Sequence, residues 1–491
     1  TRDILGEEGL GVDEQGFFES MEAHRVASGA GKAFGAMGGQ DVENYTQVLQ
    51  SLVRQHALTD SGSAYDPYDR YVVPSTVLAL FQNAQPVQQV QAGDEVEVLL
   101  GDTSFYIESG GHVSDTGKIT SDPGGNWEIE VSEVRKPAAG VIVHVGRVVF
   151  GLPTVGEKAF ARVDAQRRKA TMRNHTATHL LHAELRKVLS DQVRQAGSLV
   201  APDRLRFDFN YPSAITHDQL RRIEKGVNDA ILGEYDLNIT VKPLEKAINE
   251  GAMALFGEKY GQEVRTIKIG DEETISYELC GGTHVHNTSE IGLFLIISES
   301  SVAAGIRRIE AVTGHQAYAF ARERMNLLQE AAQSVAAAPT ELPARVQALQ
   351  TELEKAEKRI EQLSAQIAQE AFNRQLDQVQ MINSVPVFTA IVPGAGAEML
   401  RSLADQFRQR YPSGVVALAS VLDEKPLIVA AVTPDLIKLG LKAGDLVKRA
   451  AAVVGGGGGG KPELAQAGGK DPSKLPEALD QVAAYVAEIL K

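Results

Sequence analysis

The stretches His175-Thr-Ala-Thr-His179 and Cys280-Gly-Gly-Thr-His284 decide how this sequence is interpreted. They lie about a hundred residues apart, and together they contain three histidines and the single cysteine of the chain. Both are pairs spaced i to i+4, and imidazole and thiolate groups are the usual ligands of zinc in proteins. The two stretches therefore predict one zinc site that joins two distant segments within a single domain.

The first pair lies in a stretch, Lys169 to Leu189, whose apolar residues recur at helical spacing. At i and i+4 the rings of His175 and His179 project from one face of a helix and can share a metal ion. Because no Glu follows His175, the metalloprotease motif is excluded. His182, one turn beyond His179, is an alternative ligand, although a core or surface histidine fits it better.

The second pair is separated by glycines, which argue against a helix and predict a tight turn leading into an extended segment. In an extended segment His284 and His286 point to the same face, so His286 is a reserve ligand. A zinc ion bound by all four groups would be structural, whereas a catalytic one keeps a position for water. Residue types leave both alternatives open, and His284 is the expected weak ligand.

The bulk properties limit the class of protein. A chain of 491 residues predicts two to four domains. No run of about twenty apolar residues predicts a membrane span, and a single cysteine excludes a disulfide framework. The chain opens with Thr-Arg-Asp and no leader follows, so we expect a fragment or processed product of a cytoplasmic protein.

The net charge of −15 argues mildly against a nucleic-acid partner, because phosphate binding needs positive charge. Local charge points the other way, since basic residues cluster beside both pairs. These clusters are Arg167-Arg168-Lys169 with Arg173, Arg221-Arg222 with Lys225, and Arg307-Arg308. Solvated helix faces and nucleic-acid contacts are both open as explanations.

The periodicity predicts a multidomain α+β fold. Residues 1–85 are predicted to be helical and then a linker, with Asp13 as an N-cap before Phe17, Met21 and His24. Residues 86–160 alternate in short runs with glycine turns, which predicts a small β-barrel. Residues 161–330 mix helical and strand patterns and form the predicted α+β zinc domain.

Residues 331–384 are predicted to form a helical coiled-coil arm. Apolar residues follow a 3-4 alternation between charged ones, which is typical of a coiled coil: Val346, Leu349, Leu353, Ala356, Ile360, Leu363 and Ile367. At 1.5 Å per residue such an arm extends about 55 Å. One long helix packed against its own domain is the alternative, and a coiled coil could also pair two chains into a homodimer.

Residues 385–491 alternate strand-like and helical stretches and are predicted to form an α/β domain. Its distinctive feature is the glycine run 455–460, followed by Lys461-Pro462 and Ala465-Gln-Ala-Gly-Gly469. Ordering six glycines is entropically costly, which favours a functional loop that approaches an anion over a flexible linker. No Gly-Lys-Ser/Thr follows, so the run is not a P-loop.

Four motifs in order resemble the C-terminal part of bacterial alanine–tRNA ligases, over essentially the whole chain. They are Ser104-Phe-Tyr-Ile-Glu-Ser-Gly-Gly111 with Asp115-Thr-Gly117, then Asn174 to His182, then Cys280 to His284, then the glycine run with its flanks. Residues 1–30 also resemble the end of that family's tRNA-recognition region. Two positions depart from the family pattern: Ser104 replaces the usual Pro, and His112 replaces the usual Gln.

The resemblance implies that His175, His179, Cys280 and His284 hold one zinc ion in an editing domain. Such a domain hydrolyses the ester of tRNA(Ala) mischarged with serine or glycine. The resemblance also associates Gln195 with recognition of the serine hydroxyl, and it leaves Arg206 and Asp208 as structural neighbours. The expected tRNA contacts are Arg168, Arg173, Gly457, Gly458 and Lys461.

We therefore expect a cytoplasmic, zinc-dependent aminoacyl-tRNA ester hydrolase with a C-terminal tRNA-binding module. The alternative is a non-catalytic tRNA-binding fragment whose zinc is structural. A phosphoesterase fits poorly, because no cluster of Asp and His follows residue 385. The family's class II aminoacylation domain would precede Thr1, so this chain is not expected to attach alanine to tRNA.

Overall fold

The computed structural model describes residues 39–122, 124–254, 260–271, 274–422 and 424–491. The chain divides into two compact units, Thr1–Asn326 and Leu327–Lys491. The helix predicted to begin at Asp13 lies outside the described residues. Among the described residues, no helix combines the length and apolar character needed to cross a membrane.

The described part of the first unit starts with helix α1 (Gly39–Arg54), and a β-barrel follows. The barrel strands run in the order β2-β4-β8-β7-β6-β9, and pairing of β2 with β9 closes the barrel. The strands are β1 (Ala64–Tyr65), β2 (Val72–Gln82), β3 (Gln85–Val87), β4 (Glu95–Leu100), β5 (Asp102–Thr103), β6 (Gly117–Ser121), β7 (Glu128–Ala138), β8 (Val141–Phe150) and β9 (Lys158–Val163).

The barrel interior follows from the alternation seen in the sequence. Val96 and Val98 of β4 and Ile129 and Val131 of β7 are buried in one cluster with Trp127. The predicted small barrel is thus confirmed, but its boundary is wrong. The barrel already begins at β2, within the range 1–85. The sequence did not predict this strand, because Pro74 and its polar neighbours interrupt the alternation.

An α+β region follows the barrel in the same unit. Its sheets run in the orders β10-β11-β16-β15 and β12-β13-β14. Its elements are α2 (Ala165–Val188), β10 (Gln195–Val200), β11 (Leu205–Asn210), α3 (His217–Leu232), β12 (Leu237–Pro243), α4 (Leu244–Asn249), β13 (Glu263–Ile269), β14 (Ser276–Leu279), β15 (Phe294–Ala303), β16 (Ile306–Thr313) and α5 (Gly314–Ser334).

Helix α2 lies at the centre of this region. The Asp164 side chain caps its first turn by accepting a hydrogen bond from the backbone N–H of Arg167 at 3.0 Å. Leu181 and Leu185 are buried in the main apolar cluster with Phe207 and Phe209 of β11. The predicted helix is confirmed, and its burial on several sides holds the histidines it carries in fixed positions.

In the second unit the predicted heptads form one helix, α6 (Leu342–Gln375). Its apolar stripe is exposed, with Leu353 61% and Ile360 64% accessible. Only its last turns are buried, where Ala368 and Phe372 join an apolar cluster with residues of the following domain. Packing against its own domain, the alternative considered above, is therefore limited to the C-terminal end of α6.

The rest of the second unit is an α/β domain with a six-stranded sheet in the order β17-β18-β19-β20-β22-β21. Apolar clusters cover both faces of this sheet, so β19 is almost continuously buried. The elements are β17 (Gln380–Ile382), β18 (Val385–Ile391), α7 (Ala397–Arg410), β19 (Val415–Leu422), β20 (Lys425–Val432), α8 (Pro434–Lys438), α9 (Ala443–Val453), β21 (Gly457–Gly460), β22 (Leu464–Gly468) and α10 (Leu475–Ile489).

The glycine run departs from the prediction of a loop. Gly457–Gly460 forms β21, the edge strand of the sheet, paired antiparallel with β22. A Cβ atom on Gly458 would lie 2.3 Å from the Cβ of Ala467, whereas one on Gly457 would meet no atom within 4 Å. Because Gly457–Gly460 is a paired strand, the loop and linker interpretations are both wrong for these residues. The absence of a side chain at Gly458 lets the strand approach β22 closely.

Candidate metal centre

The two histidine-containing stretches, 175–179 and 280–284, meet in space. Helix α2 carries His175 and His179, Cys280 follows the end of β14, and His284 lies four residues further on. One ligand atom from each of the four residues lies within 4.8 Å of the other three. The three histidines are buried and Cys280 is half-buried. The chain thus brings together the four groups that the sequence singled out.

His286 does not join this group. It is exposed, and its backbone N–H donates to Glu290 Oε1 at 3.0 Å. The chain turns here into a short 3₁₀ helix, Thr288–Ile291, capped by Asn287. Residues 283–286 form no strand, and His286 is not among the residues whose ligand atoms converge, so the reserve-ligand prediction is wrong.

The three buried imidazoles are oriented through their Nδ1 atoms. Each Nδ1 lies within hydrogen-bonding distance of an oxygen: His175 with the Thr283 carbonyl (3.2 Å), His179 with Glu278 Oε2 (2.6 Å), and His284 with Thr176 Oγ1 (3.1 Å). Since a carbonyl and a carboxylate only accept, the Nδ1 atoms of His175 and His179 carry hydrogens. Such outer partners fix the tautomer of a metal-binding histidine.

The Nε2 atoms face the thiol. Those of His175 and His284 lie 3.4 Å and 3.5 Å from Cys280 Sγ. The Nε2 of His179 is buried and has no hydrogen-bond partner among the described residues. An unpaired buried nitrogen is costly unless another group satisfies it. Three imidazole nitrogens and one sulfur that converge in this way fit the donor set of a single zinc ion.

The charges of the cluster depend strongly on Glu278. Burial, followed by the neighbouring imidazoles, lowers the pKa of His175 and of His284 well below the usual range. Burial also opposes protonation of His179, but the charge and hydrogen bond of Glu278, together with the neighbouring Cys280, raise the pKa of His179 to about 10. Burial would raise the pKa of Glu278, yet the two histidines beside it lower it. Since only a neutral imidazole nitrogen binds a metal ion, a metal at His179 would compete with a proton.

Glu278 is a residue that sequence reasoning missed. It is buried in β14, and its two carboxylate oxygens accept from His179 and, at 2.9 Å, from the Nδ1 of His182. A signal was present, because Glu278 precedes Cys280 by two residues. In a strand those two side chains share a face.

The turn after Cys280 is held by Arg265 and Tyr68. Arg265 Nη1 donates to the carbonyls of Cys280 (3.0 Å) and Gly282 (2.8 Å), and its guanidinium lies 4.0 Å from the centroid of the Tyr68 ring. The Tyr68 hydroxyl donates to the Gly281 carbonyl at 3.1 Å. Side chains from two regions of this unit therefore fix the position of the thiol.

Gly282 is required by the close approach of the first histidine. A Cβ atom there would lie 1.9 Å from Cε1 of the His175 ring. No rearrangement of a packed imidazole accommodates that overlap. The glycine of the motif thus makes room for a ring of the cluster.

His112, where the related family usually has Gln, supports the cluster from the side. Its Nδ1 lies 2.9 Å from the Val113 carbonyl, so Nε2 accepts a hydrogen bond from the Thr283 hydroxyl at 2.8 Å. Burial lowers the pKa of His112 to about 4, which keeps the ring neutral near pH 7. The carbonyl of Thr283 in turn contacts His175, so His112 positions this segment.

A cavity lies beside the cluster. It holds about 570 Å³ of unfilled space, open in part to solvent, and His175, His179 and Cys280 line it. Gln195 also lines it, with its Nε2 donating to Ser198 Oγ at 3.3 Å. Further lining residues that the sequence did not single out for substrate contact are Tyr106, Ser109, His182 and Phe207.

Arg168 is not available to a nucleic acid. Its side chain has no exposed surface and pairs with Asp115 Oδ2. Its guanidinium also donates to the carbonyls of Pro67 and Ser104. The prediction of a tRNA contact at Arg168 is wrong, because this arginine ties α2 to the loops around the barrel.

Other basic clusters are also largely neutralised. Arg221 and Lys225 form helix-surface pairs with Asp218 and Asp229. The Arg307-Arg308 cluster is paired with acidic residues of neighbouring strands, Arg307 with Glu299 and Arg308 with Asp208. The solvated-face explanation therefore holds for Arg221 and Lys225, and Arg307 and Arg308 belong to the sheet surface.

Three family models match the sequence. The model for the second additional domain of threonyl and alanyl tRNA synthetases matches residues 264–310, which contain Cys280 and His284. The model for class II (A) tRNA synthetases matches residues 1–167, and the DHHA1 domain model matches residues 384–488.

Curated relatives align with the whole chain. The alanine–tRNA ligase of Geobacillus kaustophilus is 44% identical over 489 residues, which is 100% of this chain and 53% of the relative. That of Pelotomaculum thermopropionicum is 42% identical over 491 residues, 100% of this chain and 54% of the relative. This sequence is homologous over its whole length to the C-terminal part of alanine–tRNA ligases. The chain spans about half the length of the curated family members it matches.

A solved structure from the same family also matches part of the chain. It is the C-Ala domain of alanyl-tRNA synthetase from Aquifex aeolicus, at 33% identity. The match covers 23% of this chain and 96% of that domain, with a TM-score of 0.21.

Proposed function

We propose that this chain is the editing and tRNA-binding portion of an alanine–tRNA ligase. It hydrolyses the ester of tRNA(Ala) mischarged with serine or glycine, and it holds one zinc ion with His175, His179, Cys280 and His284. The observation that carries this proposal is the convergence of these four ligand atoms within 4.8 Å of one another, with His175, His179 and Cys280 on the wall of a cavity. An acyl group that enters the cavity would meet the ligand cluster directly.

The need for such a step follows from the chemistry of selection. An apolar pocket rejects an amino acid with one extra hydroxyl by only about a hundredfold, a figure known for aminoacyl-tRNA synthetases as a class. A second, hydrolytic pocket that recognises the hydroxyl supplies the remaining discrimination. In our proposal Gln195 and Ser198 are the polar groups that recognise the serine side chain.

The residues around the cluster have separate tasks in this proposal. When bound, a zinc ion supplies Lewis acidity toward an ester carbonyl or a water molecule. Glu278 and Thr283 hold two of the imidazoles with their Nε2 atoms facing inward. Arg265 holds the turn that carries the thiol. The cavity walls exclude bulk water from the bound ester, which strengthens polar contacts within it.

A structural role for the zinc ion is the second candidate. Four protein ligands complete a tetrahedral site, which leaves no position for water. The proximity of all four atoms favours this reading unless one ligand is displaced. His284 is our proposed displaceable ligand, because its Nδ1 contacts a neutral hydroxyl whereas that of His179 contacts a carboxylate.

For the approach of tRNA we propose Arg173 and Lys169 in place of the buried Arg168. Both line a hollow with Tyr71, His286 and Glu290. Lys169 is exposed, with no ion pair among the described residues, whereas Arg173 Nε donates to the Glu290 carbonyl at 2.7 Å. Positive groups at the surface of α2 are suited to phosphate oxygens.

The second unit supplies tRNA binding in this proposal through its C-terminal domain, with the exposed Lys461 and the edge glycines Gly457 and Gly458 as contacts. The exposed stripe of α6 is a candidate surface for pairing two chains. Sedimentation of the chain before and after truncation at Ala338 tests this. A cytoplasmic location remains part of the proposal.

The test compares Ser-tRNA(Ala) with correctly charged Ala-tRNA(Ala) as substrates of the zinc-loaded chain. We expect rapid loss of the seryl ester, slow loss of the alanyl ester, and loss of activity after removal of zinc by a chelator. Release of the seryl ester at the buffer rate by folded, zinc-loaded protein would leave the structural candidate. Activity that survives complete removal of the metal would contradict the role of zinc.

A further inference from the structure

His182 is a buried histidine with one nitrogen left unsatisfied. It lies on α2, one turn beyond His179, and only 2% of its surface is exposed. Its Nδ1 lies 2.9 Å from Glu278 Oε1, whereas its Nε2 is buried with no hydrogen-bond partner among the described residues. The ring packs against Phe207 and lines the cavity beside the cluster. A polar atom is therefore presented at the wall of the proposed substrate cavity.

The metal cluster does not account for this atom. The four residues whose ligand atoms converge do not include His182. Because the carboxylate of Glu278 only accepts, Nδ1 of His182 carries a hydrogen, and in the neutral form of that tautomer the lone pair is on Nε2. Leaving such a buried acceptor unpaired is costly, so a partner is expected to arrive with a ligand.

We propose that His182 Nε2 accepts a hydrogen bond from the aminoacyl group bound in the cavity, and so contributes to substrate specificity. This inference rests on the proposed function. The shared chemistry of its partner is a hydrogen-bond donor, which a seryl ester offers twice, as the α-ammonium and as the side-chain hydroxyl. Both lose water when the cavity takes up the ester and then require acceptors.

The surroundings favour this choice of ligand. Glu278 carries a negative charge on the same wall, which favours a donor on the ligand, and its two oxygens already accept from His179 and His182. Gln195, which also lines the cavity, offers an amide to a different part of the ligand. A donor group on the substrate therefore has one polarised acceptor available at His182.

A simpler explanation is that His182 only supports Glu278. Two substitutions, each of which keeps one polar position of the imidazole ring, separate the explanations. In His182→Asn the amide nitrogen takes the place of Nδ1, so the bond to Glu278 is kept and the acceptor at the cavity is removed. In His182→Gln the amide oxygen reaches the place of Nε2, so the acceptor is kept and the bond to Glu278 is lost.

The experiment measures two affinities of the zinc-loaded full chain. Zinc affinity is obtained by chelator competition, and substrate recognition by binding of seryl-, glycyl- and 3-hydroxypropionyl-3′-amino-3′-deoxyadenosine. These amides cannot be hydrolysed as esters are. We expect His182→Asn to keep its zinc affinity and to bind the seryl probe roughly 10- to 100-fold more weakly. His182→Gln should bind zinc more weakly and recover part of the seryl-probe affinity.

The other probes identify the donor. Weaker binding of the glycyl probe alone, with the hydroxypropionyl probe unaffected, supports a contact with the ammonium group. The reverse pattern supports a contact with the hydroxyl.

Binding of all three probes by His182→Asn as tightly as by the unaltered chain would overturn the inference, as would equal loss of zinc in both variants. If the unaltered chain binds the probes and the substitution His182→Asn changes none of the affinities, only this inference fails. If the unaltered chain neither binds them nor deacylates Ser-tRNA(Ala), the proposed function fails and takes this inference with it.

Discussion

Two groups of buried histidines in the first unit have opposite roles. His144 in β8 of the barrel has both nitrogens paired, Nδ1 with the Val98 carbonyl at 3.0 Å and Nε2 with the Thr103 hydroxyl at 2.7 Å. In the cluster of His175, His179 and His284, each Nδ1 has an oxygen partner while the Nε2 atoms converge around the thiol. The histidines are buried in both places, so burial alone does not identify a site.

The difference lies in what remains unsatisfied. A histidine with two paired nitrogens is complete as part of the core, and its neutral ring fills space in the barrel. Histidines that share a common unsatisfied point need a further group there. The same residue type is thus structural in one region and a candidate ligand in the other, according to its partners.

The largest expected effect breaks the cluster itself. Cys280→Ala or His175→Ala should abolish stoichiometric zinc binding and reduce hydrolysis of Ser-tRNA(Ala) to the buffer rate, because each removes one of the four converging donors. Metal analysis of the purified protein and a deacylation assay measure this. His217→Ala is the matched control, since His217 is exposed and outside both the cluster and the hollow proposed for tRNA. Full zinc content in Cys280→Ala would refute the assignment.

The barrel histidine should instead produce a pH effect on stability. Burial lowers the pKa of His144 to about 4, whereas an unfolded histidine titrates near 6.5. Between these values the unfolded chain binds more protons, so the contribution to stability is present above about pH 6.5 and is lost as the pH falls toward 4, by about 3 kcal/mol.

This effect can be measured by urea unfolding followed through Trp127, the single tryptophan of the chain, which is buried in the barrel core. Compared with the unaltered chain, His144→Gln should lose part of the pH dependence, while the exposed His217→Gln should retain it. An unchanged slope in His144→Gln would show that His144 does not stay neutral on folding. His112, whose pKa is also lowered to about 4, contributes a remaining slope of the same sign, as do His175 and His284, whose pKa values burial also lowers.

A smaller effect tests the outer partner of the cluster. Glu278→Gln should weaken zinc binding by roughly 10- to 100-fold, because the amide orients and polarises His179 less well than the carboxylate does. Chelator competition measures the affinity, with the exposed Glu263→Gln as control. Zinc affinity equal to that of the unaltered chain would mean that the orientation of His179 is fixed by packing alone.

The smallest effect extends the comparison to glycine, where surroundings again decide the role. Gly458→Ala should destabilise the second unit by about 1–3 kcal/mol, because the added methyl group overlaps Ala467 across the strand pair. Gly457→Ala should leave stability nearly unchanged, since no atom lies within 4 Å of its Cβ position. Calorimetry measures both. If the edge strand contacts tRNA, Gly457→Ala should weaken tRNA binding without loss of stability.

Much of the fold was accessible from periodicity. Alternation predicted the barrel from Val96 onward, and helical spacing predicted α2 and α6. The prediction failed at β2, where a proline and polar residues interrupt the pattern, and at the glycine run, where strand pairing replaced a loop. Local patterns report a residue's own preference, and neither case carries a local signal of the partner strand.

For the candidate site, residue types and spacing singled out the four groups that the structure brings together. They did not reveal Glu278 or Arg265, which act through distant histidines and backbone carbonyls. They also placed Arg168 on the surface, although a buried carboxylate and carbonyls surround it. A charged residue in a sequence is expected to be exposed to solvent only when the fold provides no buried partner for its side chain.

The sequence by itself determined the chemical inventory: three histidines and one cysteine in two pairs, a helix for the first pair, and the family that their motifs resemble. Only the tertiary structure decided which nitrogen each histidine directs inward, that His286 lies apart, and that a ring nitrogen of His182 has no partner among the described residues. The physical reason is that hydrogen-bond satisfaction depends on partners from distant segments. Those partners are chosen by packing.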